Sequence, residues 1–410
     1  MSQLALLGGP KTCTEPFVRW PQWGQGELDR LTEALESGYW GLDSKLIDEW
    51  EQRFARLQSA RYAVSVSNGT VSLMVALRAL GIGRGDEVIV PSYTFMATAA
   101  AVLWCHAIPV FADIDPGTFN LDPESVRNCI TPRTRALIPV HIAGCPCDMD
   151  ALCQIASEHK LAVVEDAAQA HGAVWNGRGV GSIGDIGSFS FQSSKNLAAG
   201  EGGMLTTDRQ DLWEICTSLK NCGRWVGGAE YEHQTLGNNF RMGAFQAAVL
   251  LAQVERFEEY FKQREKNWAY LKSALADVPG IELQSRDPRV DCHALHLLIL
   301  RFDSEKFGGI PRETFMKAME AEGIICRPGY RPLHHEKGFL ADAQAFLRGL
   351  ALPDYEKCHL PATDRVCRET SVWIRQNALL GSTTQHVEMI SQAIRKIYRS
   401  LSELRNWSAA

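Results

Sequence analysis

Residues 62–165 alternate short apolar, β-branched runs with stretches of helical periodicity, and this alternation constrains the fold most. The runs predict strands at Tyr62–Val66, Glu87–Val90, Pro109–Phe111, Thr134–Val140 and Leu161–Glu165. Helices are predicted between them, near Thr70–Leu80, Phe95–His106, Pro123–Cys129 and Met149–His159. Repeated strand–helix units of about 25 residues indicate an α/β fold with a mostly parallel sheet covered by helices on both faces. Because ligands bind beyond the carboxyl ends of such strands, the chemistry is expected just after each strand.

The pattern changes after Gly200. Residues Met242–Leu275 predict one long helix or two in series, ended by Pro279-Gly280. The remainder is typical of a smaller α+β unit. Strands are predicted at His296–Phe302 and Ile324–Arg327, and helices at Arg312–Glu322 and Gln385–Leu404. We therefore expect a large domain over residues 1–260 and a smaller C-terminal domain over residues 261–410.

The charge balance argues against a nucleic-acid partner, because the 410 residues include 42 basic and 48 acidic ones, a formal charge of −6. One stretch, Val88–Ala112, has no charged residue over a length that would cross a bilayer. Pro91 and Pro109 lie inside it, so we expect a buried strand, a helix and a second strand, and no membrane span.

The twelve cysteines are scattered and lack the density of a secreted disulfide scaffold. Cys145, Cys147 and Cys153 are the closest group, but they have no C-x-x-C pair or histidines at ligand spacing. Reduced thiols in a cytoplasmic protein are the favoured interpretation. A metal centre at these cysteines is the minor alternative, and no metal is expected in the functional site.

The first candidate motif is Ser67-Asn68-Gly69-Thr70, between a predicted strand and a predicted helix. Free N–H groups at a helix N-terminus bind phosphate, and the helix dipole adds to the attraction. Gly69 allows close backbone approach, and the Thr70 hydroxyl can donate a hydrogen bond. The alternative is a plain helix cap formed by Asn68 or Thr70.

The second motif is Glu165-Asp166-Ala167-Ala168-Gln169, where an apolar strand ends in two carboxylates. A buried carboxylate is costly unless it meets a cation, so Asp166 is a candidate partner for a cationic ligand atom. The alternative is an aspartate that caps the next helix.

The third motif runs from Ser190 to Gly203 and contains one lysine, Lys195, in a polar turn after an apolar strand. Such a lysine is a candidate for a lowered pKa and a nucleophilic amine. The alternative is an ordinary exposed loop lysine.

A fourth pattern, Gly179–Gly184, matches G-x-G-x-x-G but is interpreted as a glycine-rich loop. A dinucleotide fingerprint follows a first strand, opens a helix and has an acid about 20 residues further on. Here the pattern follows a polar Asn176-Gly177 turn, and no helix is predicted after it.

The order of the first three motifs is more specific than any one of them. A phosphate turn, then a strand-end aspartate, then a serine and a lysine five residues apart supply what pyridoxal 5'-phosphate needs. These needs are a phosphate cradle, an anion for the ring nitrogen and an amine for a Schiff base.

On these motifs the chain resembles the DegT/DnrJ/EryC1/StrS family, which are fold-type-I, pyridoxal-phosphate-dependent aminotransferases acting on keto-sugars and cyclitols. The resemblance covers essentially the whole chain. Further matches are Pro91–Phe95, Pro139–His141, Gly237–Met242 and the Pro332–His334 turn. It implies a seven-stranded, mostly parallel sheet in the large domain.

For the cofactor ring, the resemblance implies a set of five contacts. Lys195 forms the internal aldimine and, once released, moves a proton as base and acid. Asp166 pairs with the ring nitrogen, and Gln169 reaches the ring hydroxyl. Phe95 stacks on one ring face while Ala168 packs on the other.

For the phosphate, the resemblance implies binding by Gly69, Thr70, the N–H of Val71 and the Ser190 hydroxyl. Asn239 matches an asparagine that completes the phosphate site of the neighbouring subunit. A homodimer with two shared sites is therefore implied.

The resemblance also implies a ping-pong transfer of an amino group from L-glutamate or L-glutamine, through pyridoxamine phosphate, to a keto-sugar or keto-cyclitol. The segments Arg19–Trp23 and Ser371–Gly381 resemble inosose aminotransferases and 3-amino-5-hydroxybenzoate synthases of antibiotic pathways. Trp373 either lines the acceptor site or belongs to the core. Two alternatives remain, an eliminating or aromatising relative and a non-enzymatic regulator.

Overall fold

The computed structural model describes residues 4–229 and 231–408. Seven strands form the central sheet, namely β1 (Tyr62–Val66), β2 (Glu87–Pro91), β3 (Ile108–Ala112), β4 (Thr134–Leu137), β5 (Ala162–Asp166), β6 (Ile186–Ser190) and β7 (Gly203–Thr207). Their order is β1-β7-β6-β5-β4-β2-β3. Only β7 runs antiparallel to its neighbours, β1 and β6. The predicted mostly parallel seven-stranded sheet is therefore confirmed.

Helices cover both faces of this sheet. They are Gln25–Ser37, Lys45–Leu57, Gly69–Ala79, Ala97–Trp104, Pro123–Cys129, Met149–His159, Gln210–Lys220 and Ala244–Glu255. Successive side chains of one strand enter different cores, because strand residues alternate between faces. Ile89 packs in one core, and Val88 and Val90 pack in the other. The predicted layer architecture is thus present, with both faces of the sheet buried.

A second unit is built on a three-stranded antiparallel sheet, β8 (Ile281–Leu283), β9 (Leu297–Phe302) and β10 (Ser371–Arg375). Its helices are Phe257–Ala274, Arg312–Ala321, Lys337–Phe346, Pro361–Arg365, Gln385–Arg399 and Leu401–Ser408. A hairpin of Val174–Trp175 and Arg178–Gly179 pairs with Val290–Cys292. Single 3₁₀ turns occur at Ala5–Leu7, Ile142–Gly144, Leu333–His335, Tyr355–Lys357 and Gln376–Leu379, and a π turn at Val366–Thr370.

The helix Phe257–Ala274 connects the two units. Its first residue, Phe257, packs in a core of the central sheet, and Trp268 and Leu271 pack in the core of the second unit. Leu4 and Cys13 from the start of the chain also pack in that second core. The division of the chain near residue 260 stays a prediction.

Several predicted elements differ in their bounds. β4 ends at Leu137 and not at Val140, because Pro139 has no N–H to continue the ladder. Residues 242–275 form two helices in series that meet at Arg256, which is the second of the two predicted arrangements. The last predicted helix is likewise divided, at Ser400.

The predicted strand Ile324–Arg327 is wrong. Only Arg327 forms a bridge, to Trp373, with its N–H donating over 3.0 Å. Pro328 has no N–H to extend the pairing beyond Arg327, and at the other end the Ile324 N–H donates to the Met319 carbonyl of the preceding helix over 2.9 Å.

The uncharged stretch Val88–Ala112 folds as a strand, a helix and a strand, as predicted. Among the described residues, no helix combines the length and apolar character needed to cross a membrane.

Candidate active site

The turn after β1 has the features of an anion cradle. Asn68 caps the helix Gly69–Ala79, and its Oδ1 accepts the Val71 N–H over 2.9 Å. The N–H groups of Gly69 and Thr70 have no acceptor among the described residues. Asn68 therefore caps the helix, as the alternative interpretation expected, and two N–H groups remain for an anion; phosphate binding at this turn stays a prediction. The Val71 N–H, assigned to the phosphate by resemblance, is engaged by the Asn68 side chain.

Ser190 reaches the same turn through strand register. Gly203 of β7 pairs with Val66 on one side and with Ser190 on the other, so the ends of β1 and β6 lie one strand apart. A Cβ atom on Gly69 would lie only 2.7 Å from the Ser190 Cβ. Glycine is therefore required at position 69, and the Ser190 hydroxyl is placed beside the helix N-terminus.

Asp166 is the last residue of β5 and is 6% exposed. Its carboxylate accepts hydrogen bonds from the Thr98 hydroxyl over 2.8 Å and from the Ala168 N–H over 3.2 Å. Burial raises the pKa of Asp166, although these two donors and the charge of Lys195 oppose the rise. The carboxylate is thus not saturated by the protein and can accept a further donor.

Lys195 lies in the turn between β6 and β7, and its backbone is fixed on both sides. Its N–H donates to the Gln192 carbonyl over 2.8 Å, and its carbonyl accepts the Trp20 indole N–H over 3.0 Å. The ammonium makes no hydrogen bond or ion pair to another described residue. Burial lowers the pKa of Lys195 to about 8, and Asp166 acts in the opposite direction. The lysine is therefore not the ordinary exposed one, and a useful fraction of its amine is neutral near physiological pH.

Gln169 and Phe95 border the same space. Gln169 Oε1 accepts the Ala143 N–H over 2.7 Å, and its Nε2 donates to the Tyr330 hydroxyl over 2.9 Å. Phe95 is 61% exposed, and its ring centre lies 6.5 Å from that of Tyr330. Phe95 is thus not a core aromatic, and one face of its ring is free to stack on a planar ligand.

Asn239 lies on the segment that runs past the anion cradle. The neighbouring Phe240 carbonyl accepts the Ser67 N–H over 2.8 Å. The Asn239 side chain is exposed, and its backbone bridges to Asn221. Its predicted role in a neighbouring subunit stays a prediction.

The glycine-rich loop Gly179–Gly184 does bind an anion, but the anion is Glu165. The N–H groups of Gly181, Ile183 and Gly184 each donate to the Glu165 carboxylate over 2.7 Å. The loop opens no helix and leads directly into β6. Its interpretation as a loop without dinucleotide chemistry agrees with this structure.

Three partners of the site were not found from the sequence. Thr98 donates to Asp166, Tyr330 accepts from Gln169, and Trp20 holds the Lys195 carbonyl. Thr98 and Trp20 come from segments far from β5 and the lysine turn in the chain. A signal for Thr98 did exist, since it lies one helical turn beyond Phe95 on the same segment.

The assembled residues suit pyridoxal 5'-phosphate. The cradle between Gly69 and Ser190 has free donors, which fits a phosphate. The unsaturated Asp166 carboxylate fits a protonated ring nitrogen, and the lysine amine without a partner fits an aldehyde. These features come from the ends of three strands, β1, β5 and β6, at one edge of the sheet, where ligands of such folds bind.

Known proteins agree with this assignment. The sequence profile of the DegT/DnrJ/EryC1/StrS aminotransferase family matches residues 21–372. A Streptoalloteichus tenebrarius protein, named as a candidate L-glutamine:3-amino-2,3-dideoxy-scyllo-inosose aminotransferase, is 41% identical over 98% of this chain and 100% of its own. The crystal structure of 3-amino-5-hydroxybenzoic acid synthase is 32% identical, with a TM-score of 0.83 over 93% of this chain and 99% of that one.

A further solved structure, DesI in the presence of its TDP-sugar product, is 32% identical with a TM-score of 0.85, covering 100% of this chain and 99% of that one. Both the sequence likeness and the fold likeness therefore extend over nearly the full length. The chain belongs to the DegT/DnrJ/EryC1/StrS family of aminotransferases, and pyridoxal 5'-phosphate is its cofactor.

Proposed function

We propose that this enzyme transfers the amino group of L-glutamine to the ketone of a cyclitol, in the biosynthesis of an aminocyclitol. The observation that carries the proposal is the full-length likeness, at 41% identity, to a protein named for L-glutamine and an amino-dideoxy-inosose. A second Streptoalloteichus tenebrarius relative, 36% identical over 98% of this chain, is named L-glutamine:2-deoxy-scyllo-inosose aminotransferase. Glutamine and a carbocyclic ketone recur in both names.

We infer the following roles for the chain's own side chains. Lys195 Nζ would hold the cofactor and, once free, would carry the proton that moves during the transfer. Asp166 holds the proton of the ring nitrogen, which lets the cofactor act as an electron sink. Gln169 and Ala168 fix the ring's orientation, and Phe95 stacks on it. These roles are supported by the lowered pKa of Lys195 and the unsaturated Asp166 carboxylate.

For the phosphate we propose the N–H groups of Gly69 and Thr70, together with the Thr70 and Ser190 hydroxyls. Val71 would support the site through its bond to Asn68, which fixes the shape of the turn. A direct Val71 contact would require Asn68 to turn away.

We propose that an aromatic cluster of Tyr93, Tyr330 and Trp373 lines the binding site of the amino acceptor. Trp373 Nε1 donates to the Tyr93 hydroxyl over 3.0 Å, and the Tyr330 ring meets the Trp373 ring edge at 4.7 Å. Tyr330 also touches Gln169, so this cluster continues directly from the cofactor pocket. Trp373 is only partly buried, which favours a place at the acceptor site over a purely core role.

We propose a homodimer in which Asn239 reaches the partner's phosphate site. The exposed Asn239 side chain beside the cradle segment supports this arrangement. Mixing Lys195→Ala and Asn239→Ala chains tests it, because a shared site predicts that one of the two sites in a mixed dimer regains activity. Failure to complement would contradict shared sites.

The aromatising alternative has one specific observation in its favour, the fold and sequence likeness to 3-amino-5-hydroxybenzoic acid synthase. Such an enzyme removes water and forms an aromatic ring. The two functions give products of different mass, so they are separable in one assay.

The deciding experiment incubates the pyridoxal-phosphate-loaded enzyme with an amino donor and a panel of ketones. The panel contains inososes, nucleotide-linked ketohexoses and a carbocyclic keto acid, each tested with glutamine and with glutamate, and products are identified by mass spectrometry. We expect an aminated inosose with glutamine, and none with the Lys195→Ala variant. Amination of nucleotide sugars alone, or loss of water, would contradict the cyclitol proposal.

We propose that the domain boundary lies inside the helix Phe257–Ala274, because this helix contacts the cores of both units.

We also propose a reducing, cytoplasmic location for the protein. All twelve cysteines are free thiols, and Cys145 and Cys147 donate to separate carbonyl oxygens, those of Ser285 and Val140, which supports this location.

A further inference from the structure

Two histidines and an aspartate converge at a place that the transfer reaction does not use. His334 and His335 end the turn after Pro332, and Asp364 lies in the short helix Pro361–Arg365. Asp364 Oδ1 lies 3.6 Å from His334 Nε2 and 3.1 Å from His335 Nε2. One potential ligand atom from each residue falls within 4.8 Å of the others. Three donors from two separate segments therefore face one point.

The inner member of this cluster has an unsatisfied nitrogen. His334 is 1% exposed, and its Nε2 has no hydrogen-bond partner among the described residues. Its distance to the Asp364 carboxylate is too long for a hydrogen bond. A buried ring nitrogen without a partner is costly, so the unpartnered Nε2 of His334, which faces a carboxylate and a second imidazole, indicates a missing ligand.

The other nitrogen of His334 is already oriented. Nδ1 lies 2.7 Å from the Ser92 hydroxyl, and the same hydroxyl accepts the His334 backbone N–H over 3.2 Å. Metal-binding histidines commonly use the second ring nitrogen in such a bond, which fixes the ring and directs the free nitrogen at the ion. Ser92 therefore plays the part of an outer partner.

The outer members leave the cluster open to solvent. The His335 side chain is half-exposed, and its ring centre lies 4.0 Å from that of His334. The second Asp364 oxygen faces Arg368 at 3.4 Å, and Arg368 is itself largely exposed. One oxygen of Asp364 thus remains for the cluster, and an ion could enter from the His335 side.

We propose that His334, His335 and Asp364 form a binding site for a divalent cation of the zinc type. Zinc takes imidazole and carboxylate ligands at about 2.0–2.2 Å, which places neighbouring ligands of a tetrahedral ion about 3.3 Å apart. The separations of 3.1 and 3.6 Å match this spacing. Water completes the coordination on the exposed side. The site rests on its own geometry and does not depend on the identity of the amino acceptor.

The ion would join two segments, the histidine turn and the helix Pro361–Arg365, and each of them is anchored to residues that follow a strand of the central sheet. Asp113 accepts the N–H groups of Ala362 and Thr363 and so anchors the short helix that carries Asp364. Ser92 anchors the histidine turn and lies three residues before Phe95. The expected role is structural, holding the loop of Phe95 against the helix Pro361–Arg365.

The test is a titration of chelator-treated, pyridoxal-phosphate-loaded enzyme with zinc chloride, followed by calorimetry. We expect one zinc per chain, and an affinity at least about tenfold weaker in His335→Ala and in Asp364→Asn. His159→Ala, which removes an exposed histidine elsewhere, is the matched control and is expected to bind as the wild type does. The cofactor absorption band and the thermal unfolding of each metal-free variant establish that the variant is folded.

The outcomes are distinct. No saturable zinc binding by the wild type would overturn the proposal. Equal affinity in His335→Ala, in Asp364→Asn and in the wild type would do so as well, because it would assign the binding to other groups such as the thiols. A rise of the thermal midpoint with zinc in the wild type and the control alone would support the site.

Discussion

Glu165 and Asp166 are consecutive residues of β5, and their carboxylates have opposite surroundings. Glu165 is fully buried and accepts three loop N–H groups over 2.7 Å, with His141 Nε2 a further 3.1 Å contact. Asp166 is almost as buried, but among the described residues its carboxylate accepts hydrogen bonds only from the Thr98 hydroxyl and the Ala168 N–H. Burial acts to raise both pKa values. At Glu165 the hydrogen bonds and the His141 contact outweigh burial, and the pKa is lowered. At Asp166 burial prevails, and the pKa is raised.

The difference separates a structural carboxylate from a functional one. Strand residues alternate between faces, so the two neighbours project to opposite sides of the sheet. The face of Glu165 is closed by the loop Gly179–Gly184, which uses its free N–H groups on the protein's own anion. The face of Asp166 opens toward Lys195, whose charge acts on the Asp166 carboxylate. A buried carboxylate with few hydrogen-bond donors, such as Asp166, therefore indicates a functional site, whereas one with a full set of donors, such as Glu165, indicates a structural role.

The largest expected effect is on activity at Asp166. Asp166→Asn should slow amino transfer by about 10³-fold, because it removes the charge that holds the ring nitrogen's proton. Its stability near pH 7 should equal or exceed that of the wild type, since the raised pKa means that folding disfavours the ionised carboxylate. Single-turnover rates and urea unfolding measure the two effects. A near-normal rate in Asp166→Asn would contradict the functional role that distinguishes Asp166 from Glu165.

Glu165→Gln should show the reverse pattern. The amide NH₂ faces loop N–H donors, so about 3 kcal/mol of unfolding free energy should be lost. The rate of the folded fraction should stay within a few-fold of the wild type. Urea unfolding followed by circular dichroism gives the stability, and an unchanged midpoint would contradict the structural role of Glu165.

The pH dependence of the stability lost in Glu165→Gln provides a control for this prediction. A carboxylate whose folded pKa is lowered contributes stability above its ordinary value of 4.5, and this is lost as the pH falls through the folded pKa. The stability gap between wild type and Glu165→Gln should therefore be full near pH 7 and shrink in acid. A gap that grows in acid would point to another cause.

The pH dependence of cofactor binding at Lys195 distinguishes Asp166 from Glu165. The rate at which apoenzyme regains the cofactor absorption band should rise with pH around a midpoint of about 8, because only the neutral amine attacks an aldehyde. Asp166→Asn should lower this midpoint, since the charge that opposes deprotonation is removed. Glu165→Gln should leave it unchanged. A wild-type midpoint near the ordinary lysine value of 10.5 would contradict the burial of the amine.

The smallest effect is expected at Thr98. Thr98→Val keeps the shape but removes the hydroxyl that donates to Asp166. Loss of a hydrogen bond to a charged group costs about 1.5–3 kcal/mol, so we expect the rate to fall by about 10- to 100-fold and the pKa of Asp166 to rise further. Thr94→Val is the matched control, because Thr94 contacts Thr98 and not the carboxylate. Equal rates in both variants would contradict the positioning role of Thr98.

The sequence could predict what depends on local pattern. Alternating strand and helix periods gave the central sheet, and strand ends marked Asp166, Gly69 and Ser190. It could not predict contacts between distant segments. Thr98 and Trp20 contact the site only because the sheet and the start of the chain bring them there.

The two carboxylates show the same limit. Both end one apolar run, and nothing in the local pattern says which one is saturated. The answer depends on a loop fourteen to nineteen residues further along the chain, as seen in the bonds from Gly181 and Gly184 at separations of 16 and 19 residues. The predicted strand Ile324–Arg327 failed for a related reason, since a strand needs a partner as well as a suitable run.

Reductive trapping tests most directly where the reactive amine lies. The enzyme, loaded with pyridoxal 5'-phosphate, is treated with borohydride, digested and mapped by mass spectrometry. We expect one stable cofactor adduct per chain, on the peptide that contains Lys195. An adduct confined to another lysine, or no adduct on a fully loaded enzyme, would contradict the assignment of this site.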